Sequence, residues 1–487
     1  MNIGERKLNL LMDLYQLTMS QGYYNEGLID TKVVFDMFFR KIPDNGGYVI
    51  TAGLEQVIEY IKELSFNTEE IHALREKGIF NEDFLNYLET FKFKGDIYAI
   101  PEGTVVFPHE PLVTVVGNPI EAQLIETMLL LTINHQSLIA TKASRIVNSA
   151  QGRSVLEFGA RRSQGYDGAV YGARASYIGG VDGTATTLAT PMFKIPSIGT
   201  MAHSWIQLFD DEYKAFEVYA KNYPSNCTLL IDTYDVINSG IPNAIKVAKE
   251  VLEPLGHRLK GVRIDSGDIT YLSNVARDMF DKEGMTDCKI IASSSLDEYT
   301  ISALLAEGAK IDSFGVGERL ITSKSEPVFG GVYKIVAVNH GNGFEARIKI
   351  SENVEKVTNP GYKEVWRLYD NDSRKALADV ITLKDEVIDN NNSYEIFDPV
   401  HTWKKQTLTN FTAKKLQVPI FINGELVYKS PSVEEIRLKA KEELNTLWDE
   451  VKRIQKPHRY YVDLSKDLWN LKNNMLFSKG STMRGLE

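Results

Sequence analysis

The stretch "LEFGARRSQGYDGAVYGARASYIGG", residues 156–180, sets Arg161, Arg162 and Arg174 among glycines, with Glu157 and Asp167 as its acids. Arginine forks match carboxylates and phosphates in geometry, and glycines let a backbone approach a ligand. The stretch therefore reads as a place where a small anion is held. A second set of polar residues recurs at the ends of short apolar runs. Arg161 follows "SVLEF", Asp232 ends "TLLID", Asp265 ends "GVRID", Ser293 and Ser294 close "KIIASS", and Gly315 and Gly317 lie in "FGVG". Carboxylates so placed suit ribose hydroxyls, a catalytic base or Mg2+, and small residues turn backbone N–H groups toward a phosphate. The blander reading of "IDSGD" is a helix N-cap after a strand, with Asp268 in the first turn. Taken together, the repeated strand ends point to a phosphate-bearing ligand.

His203 lies in "GTMAHSWIQ", a loop that follows Gly199-Thr200. An imidazole there suits nucleophilic or proton-transfer chemistry, or equally a satisfied structural histidine. The other histidines show no HExxH or paired spacing for a metal, and neither a Walker A motif nor a Rossmann fingerprint occurs. Tyr15 in "DLYQLTM" reads equally well as a core aromatic.

The elements that must position these residues follow from periodicity. Between about 150 and 340, short apolar strands alternate with helical runs such as "IPNAIKVAKEVLEPLG" and "DEYTISALLAEGAK", which predicts a parallel sheet. Polar residues at each strand's carboxyl end favour an α/β fold of irregular TIM-like barrel type over a doubly wound sheet. Upstream, a helix is expected over 8–24 with Leu11, Leu14, Tyr15 and Thr18 on one face. A strand is expected over 32–43, a β-rich layer over 93–118 and a helix over about 119–150. Downstream, "NPGYKEVWRLYDNDSRKALADVITL" reads as a β-meander and "SVEEIRLKAKEELNTLWDEVKRIQ" as a charged amphipathic helix. The expected division is an N-terminal domain over 1–130, a barrel over 131–345, and a C-terminal region over 346–487 that packs on the N-terminal domain.

With 487 residues the chain exceeds one core. Its 65 acidic residues outnumber 55 basic ones, for a net charge of −10, and no long basic run argues for nucleic acid. Cys227 and Cys288 form no CxxC pair, which fits a reducing cytoplasm. No secretory signal or membrane-length apolar run is evident.

"MDLYQLTM", "EFGARRSQG", "GTMAHSW", "DTYD", "GVRIDSGD" and "GVGERLIT", in this order, resemble the nicotinate phosphoribosyltransferase family over nearly the whole chain. The resemblance implies an irregular α/β barrel with a second α/β domain built from both termini, in a cytoplasmic homodimer with shared active sites. It implies the joining of nicotinate to phosphoribosyl pyrophosphate, coupled to ATP hydrolysis through a phosphorylated His203 and using Mg2+, whose ligands it leaves unassigned. On the same basis, Phe158 and Tyr15 stack on the two faces of the pyridine, Tyr15 coming from the partner subunit. Arg161 and Arg263 lie near the base and the ribosyl phosphates, and Thr200 lies beside nicotinate. Asp265 faces the reacting ribose, Asp232 orients the histidine, and Gly317 and Glu318 meet the 5′-phosphate. Nicotinamide-using relatives carry acids where this chain has Ala185 and Ala202, and a Gly-Asp ribose-binding pair where it has Ser293-Ser294. Rival readings are an enzyme of the same scaffold using nicotinamide or quinolinate, and a non-catalytic ligand sensor.

Overall fold

A computed structural model describes residues 6–353 and 356–483. The chain divides into two compact units. The first comprises residues 1–138, 328–431 and 438–487; the second comprises 139–327 and 432–437. The first division falls within the helix Glu126–Ser149. No described helix is long and apolar enough to cross a membrane.

The second unit is built on six strands that pair only in parallel. Their order is Gly183–Thr184, Ser154–Glu157, Ser313–Val316, Lys289–Ser293, Gly261–Ile264 and Thr228–Leu230. Val262, Ile264, Ile290, Phe314 and Val316 are fully buried, as expected for parallel strands covered on both faces. Helices Gly165–Ile178, Ile269–Lys282 and Glu298–Ala306 return the chain between strands. The sheet is a curled half-barrel, so the expected α/β barrel takes an irregular, incomplete form. The short strand Gly183–Thr184 in "DGTAT" lacks the apolar run that marks the others.

The first unit unites the two ends of the chain. Its seven-stranded antiparallel sheet runs Glu345–Ala346, Gly331–Asn339, Lys32–Phe39, Val113–Gly117, Asp96–Ala99, Val418–Ile422 and Glu425–Leu426. A four-stranded sheet joins Phe411–Lys415, Lys363–Asp370, Ala376–Leu383 and Val462–Leu464. One large apolar core includes Met37, Phe39, Phe84, Leu85, Val115 and Ile420.

Several element bounds differ from expectation. The first helix is Leu14–Asn25, not 8–24. Asp13 caps it reciprocally with Gln16, whose Oε1 accepts the Asp13 N–H at 2.9 Å. The buried face is therefore Gln16, Leu17 and Ser20, while Leu11, Leu14 and Tyr15 are exposed. The charged C-terminal helix ends at Thr446, short of the expected 455. The run "IPNAIKVAKEVL" is an α-helix over Ile241–Val247 that continues as a π-helical turn, Ala248–Leu252.

Candidate active site

Each strand of the parallel sheet delivers its following residue to the same edge, because parallel strands all end on one side. At the Ser154–Glu157 strand, the Phe158 N–H bonds to Val316 O at 2.7 Å, and the ring turns over Gly315. A Cβ on Gly315 would meet Phe158 Cδ2 at 2.6 Å. Glycine is therefore required there by a side chain rather than by backbone dihedrals. Buried Glu157 accepts the Gly159 N–H and, at 2.5 Å, the Thr184 hydroxyl, while its carbonyl takes the Ala185 N–H at 2.8 Å. Burial raises the Glu157 carboxyl above the usual range, opposed by the Thr184 and Gly159 bonds. This carboxyl ties the turn bearing Arg161 to the loop bearing Ala185. Sequence reading did not single out that role, and its only signal was an acid ending a strand.

Arg161 and Arg162 are exposed in a short 3-10 turn, Ala160–Arg162. Arg174 is not with them. It is fully buried on the helix Gly165–Ile178, with its guanidinium 5.8 Å from the Phe193 ring centroid. The glycine-rich stretch is thus a loop followed by a helix, and only its first half reaches the strand edge.

On the Gly261–Ile264 strand, Arg263 Nη1 donates to Thr200 Oγ1 at 2.6 Å and Nη2 to Met201 O at 3.0 Å. Burial is the main influence lowering the Arg263 guanidinium; Asp265 and Asp232 oppose it and Arg161 reinforces it. Arg263 therefore fixes the segment that leads into His203. His203 opens a one-turn helix, His203–Gln207, preceded by Ala202. Its Nδ1 lies 3.1 Å from Thr233 Oγ1 and its Nε2 3.8 Å from Asp265 Oδ2. Both side chains remain reachable, at 40% and 41% exposed.

Asp232, expected to orient the histidine, makes its described hydrogen bonds to other residues. Asp232 Oδ2 accepts the Asp265 N–H at 3.0 Å and the Ser266 hydroxyl at 2.6 Å. It shapes the neighbouring strand end, and the group on the histidine is Thr233. Thr233 follows Asp232 in "DTYD", where the two carboxylates are the more conspicuous groups. Asp265 Oδ1 accepts the Ser293 hydroxyl. Asp268 is itself the N-cap of Ile269–Lys282, accepting the Tyr271 N–H at 3.0 Å, rather than a first-turn residue.

At the last strand end, Gly317 precedes the short helix Glu318–Ile321. The Glu318 carboxylate is held by Lys324 at 2.6 Å, a contact that lowers it below the usual range. Arg319 pairs with Asp297, the N-cap of Glu298–Ala306, and so ties this turn to the loop after Ser293-Ser294. Ser294 adopts φ 136°. Contacts within the second unit thus link Ala185, Glu157, Phe158, Gly315, Ser293, Asp265, Asp232 and His203 along one sheet edge. Tyr15 belongs to the first unit, where it is exposed on its helix; partial burial, then Glu126, pushes its hydroxyl up to about 12.

Residues 154–344 match the family described as "Nicotinate phosphoribosyltransferase (NAPRTase) family". The chain is 45% identical over 467 residues to the nicotinate phosphoribosyltransferase of Bacillus subtilis, covering 96% of this chain and 94% of that one. The chain belongs to the nicotinate phosphoribosyltransferase family. The family's N-terminal domain matches residues 10–134 and its C-terminal domain 362–472, which, apart from 432–437, lie in the first unit. The Dictyostelium discoideum nicotinate phosphoribosyltransferase is 33% identical over 521 residues, covering 96% of this chain and 88% of its own. The crystal structure of human nicotinic acid phosphoribosyltransferase superposes with a TM-score of 0.83 at 29% identity, covering 96% of this chain and all of that one.

Proposed function

We propose that the sheet edge joins nicotinate to phosphoribosyl pyrophosphate, giving nicotinate mononucleotide and pyrophosphate, a step of NAD salvage. Family membership supports this reading, and one observation carries it: a ring, an arginine turn, a carboxylate and a reachable histidine share the carboxyl edge of one parallel sheet. The pyridine nitrogen carries no proton at neutral pH, so no base is needed to activate it. Its lone pair forms the bond to ribose C1 while the C1–O bond breaks and its electron pair leaves with pyrophosphate. The protein's task is alignment and charge stabilisation. Phe158 offers a face to the pyridine, Arg161 a fork to the nicotinate carboxylate, and Asp265 a negative charge for the cationic ribose carbon. The Gly317-Glu318 turn takes the 5′-phosphate through backbone N–H groups, and Arg263 with Thr200 holds the wall beside the base.

Mg2+ would neutralise diphosphate charge when bound. Asp265 and Asp232 are the carboxylates that would hold it, substrate oxygens completing its shell; the buried Asp232 Oδ1, without a hydrogen-bond partner in the protein, fits that use. ATP is the proposed co-substrate. If Nδ1–H of His203 donates to Thr233, Nε2 keeps its lone pair and attacks the γ-phosphorus, and ADP departs with the electrons of the broken P–O bond. Water later cleaves the N–P bond and resets the site. The assembly in this reading is a homodimer whose second copy supplies Tyr15 to the other face of the base.

The test is pyrophosphate release from phosphoribosyl pyrophosphate with nicotinate and nicotinamide in parallel. Release with nicotinate is expected, with kcat/KM for nicotinamide about a hundredfold lower or less. Equal values for the two bases, or no release with nicotinate, would overturn the reading.

A further inference from the structure

The first unit contains a cavity of about 890 Å3 that the strand-edge chemistry does not use. Arg40, Arg459, Lys472 and His109 line it, and no Asp or Glu occurs among its described lining residues. Lys472 Nζ donates to the neutral Asn359 Oδ1 at 2.8 Å, and burial, with the charge of Lys363 behind it, lowers this ammonium below its usual range. Arg40 Nε is buried without a hydrogen-bond partner. The three cations line one space, and burial with the combined fields of Lys472, Arg40 and Arg459 holds His109 down at about 4. Asp463, whose field reaches Arg459, is itself raised to about 7 by burial and Asp398. Like charges gathered without a carboxylate between them are stabilised by an anion that bridges them.

Much of the remaining wall is apolar, with Ile42, Ile381 and Leu464 beside three aromatic rings. Phe107 and Tyr460 stack with centroids 3.9 Å apart at 11°, and half-buried Trp469 stands beside the cations. Apolar walls with a few convergent charges are the composition of a small-molecule site. Inorganic phosphate alone would leave the rings unused.

We propose that this cavity is a second anion site, separate from the sheet edge, which takes the di- or triphosphate group of a nucleotide free in solution.

Calorimetric titration of the full-length protein with ADP and with inorganic pyrophosphate tests this. Arg459→Gln alters an exposed side chain, so it should fold as wild type, and Lys472→Met is the second variant. Each is expected to weaken both ligands about tenfold at one site, as for a lost charged hydrogen bond, whereas Arg263→Met leaves that site intact. Wild-type binding in Arg459→Gln and in a folded Lys472→Met would overturn the proposal. Turnover separates this site from the sheet edge. An unchanged KM for phosphoribosyl pyrophosphate in Arg459→Gln, with weakened ADP binding, is expected, whereas a raised KM would assign the cavity to the reaction site and overturn the proposal.

Discussion

The His203 imidazole meets Thr233 through Nδ1 at 3.1 Å, across a sequence separation of 30 residues. In the tautomer that carries its proton on Nδ1, this hydroxyl accepts from the ring and Nε2 keeps its lone pair. Thr233→Val keeps shape and removes that partner, so the rate of phosphate labelling from γ-labelled ATP should fall about tenfold, the worth of one hydrogen bond. Thr233→Ser should restore it. His203→Ala should lose labelling and ATP hydrolysis while a slow, ATP-independent transfer persists. Normal labelling in Thr233→Val would show that the hydroxyl does not act on the ring.

Ala185 sits in the loop that Glu157 holds at the strand edge. Ala185→Asp introduces a negative charge there, and a charge near the nicotinate carboxylate repels it. The expected result is about a tenfold fall in kcat/KM for nicotinate with a smaller change for nicotinamide. Equal effects on the two bases would place the loop away from the ring substituent.

Gly315→Ala puts a methyl 2.6 Å from Phe158 Cδ2. The ring must shift, so thermal unfolding should report a loss of about 1–3 kcal/mol, typical of overpacking. KM for nicotinate should rise about tenfold if stacking is lost. Wild-type KM in a destabilised variant would mean that Phe158 packs the sheet without touching the base.

A shared site predicts complementation between two inactive chains. Tyr15→Ala mixed with Asp265→Ala should recover roughly a quarter of wild-type activity, because random exchange makes half the dimers mixed and one site in each is intact. No recovery in a mixture with proven subunit exchange would remove Tyr15 from the neighbour's site.

Asp463 bears on stability. Burial, then Asp398, raises its carboxyl to about 7, against Arg459, which lowers it. Between pH 4 and 7 the folded state therefore binds a proton that the unfolded chain has released, so stability falls as pH rises through that window. Asp463→Asn should flatten this slope and gain on the order of 2–4 kcal/mol above pH 7. A denaturation series that keeps the wild-type slope in the variant would refute the assignment.

The strand-loop-helix rhythm of residues 150–340 was readable because parallel strands buried on both faces are unbroken apolar runs. Their ends were readable because each run stops at a polar residue. Arg161, Asp232, Asp265 and Gly317 could therefore be placed at one edge without coordinates. Local chemistry is legible less evenly: "IDSGD" marks a helix start near Asp268, whereas the Asp13 cap is not marked by apolar periodicity, and the first helix starts at Leu14, six residues after the expected position. What only the tertiary structure decided was which polar group meets which. Asp232 bonds to the backbone of Asp265 and leaves the histidine to Thr233, the Ser293 hydroxyl meets Asp265, and Arg174 is buried on its helix away from the other arginines. Those pairings join residues some 30 positions apart. They depend on strand register and on the angle at which each loop leaves the sheet, neither of which is encoded in local periodicity.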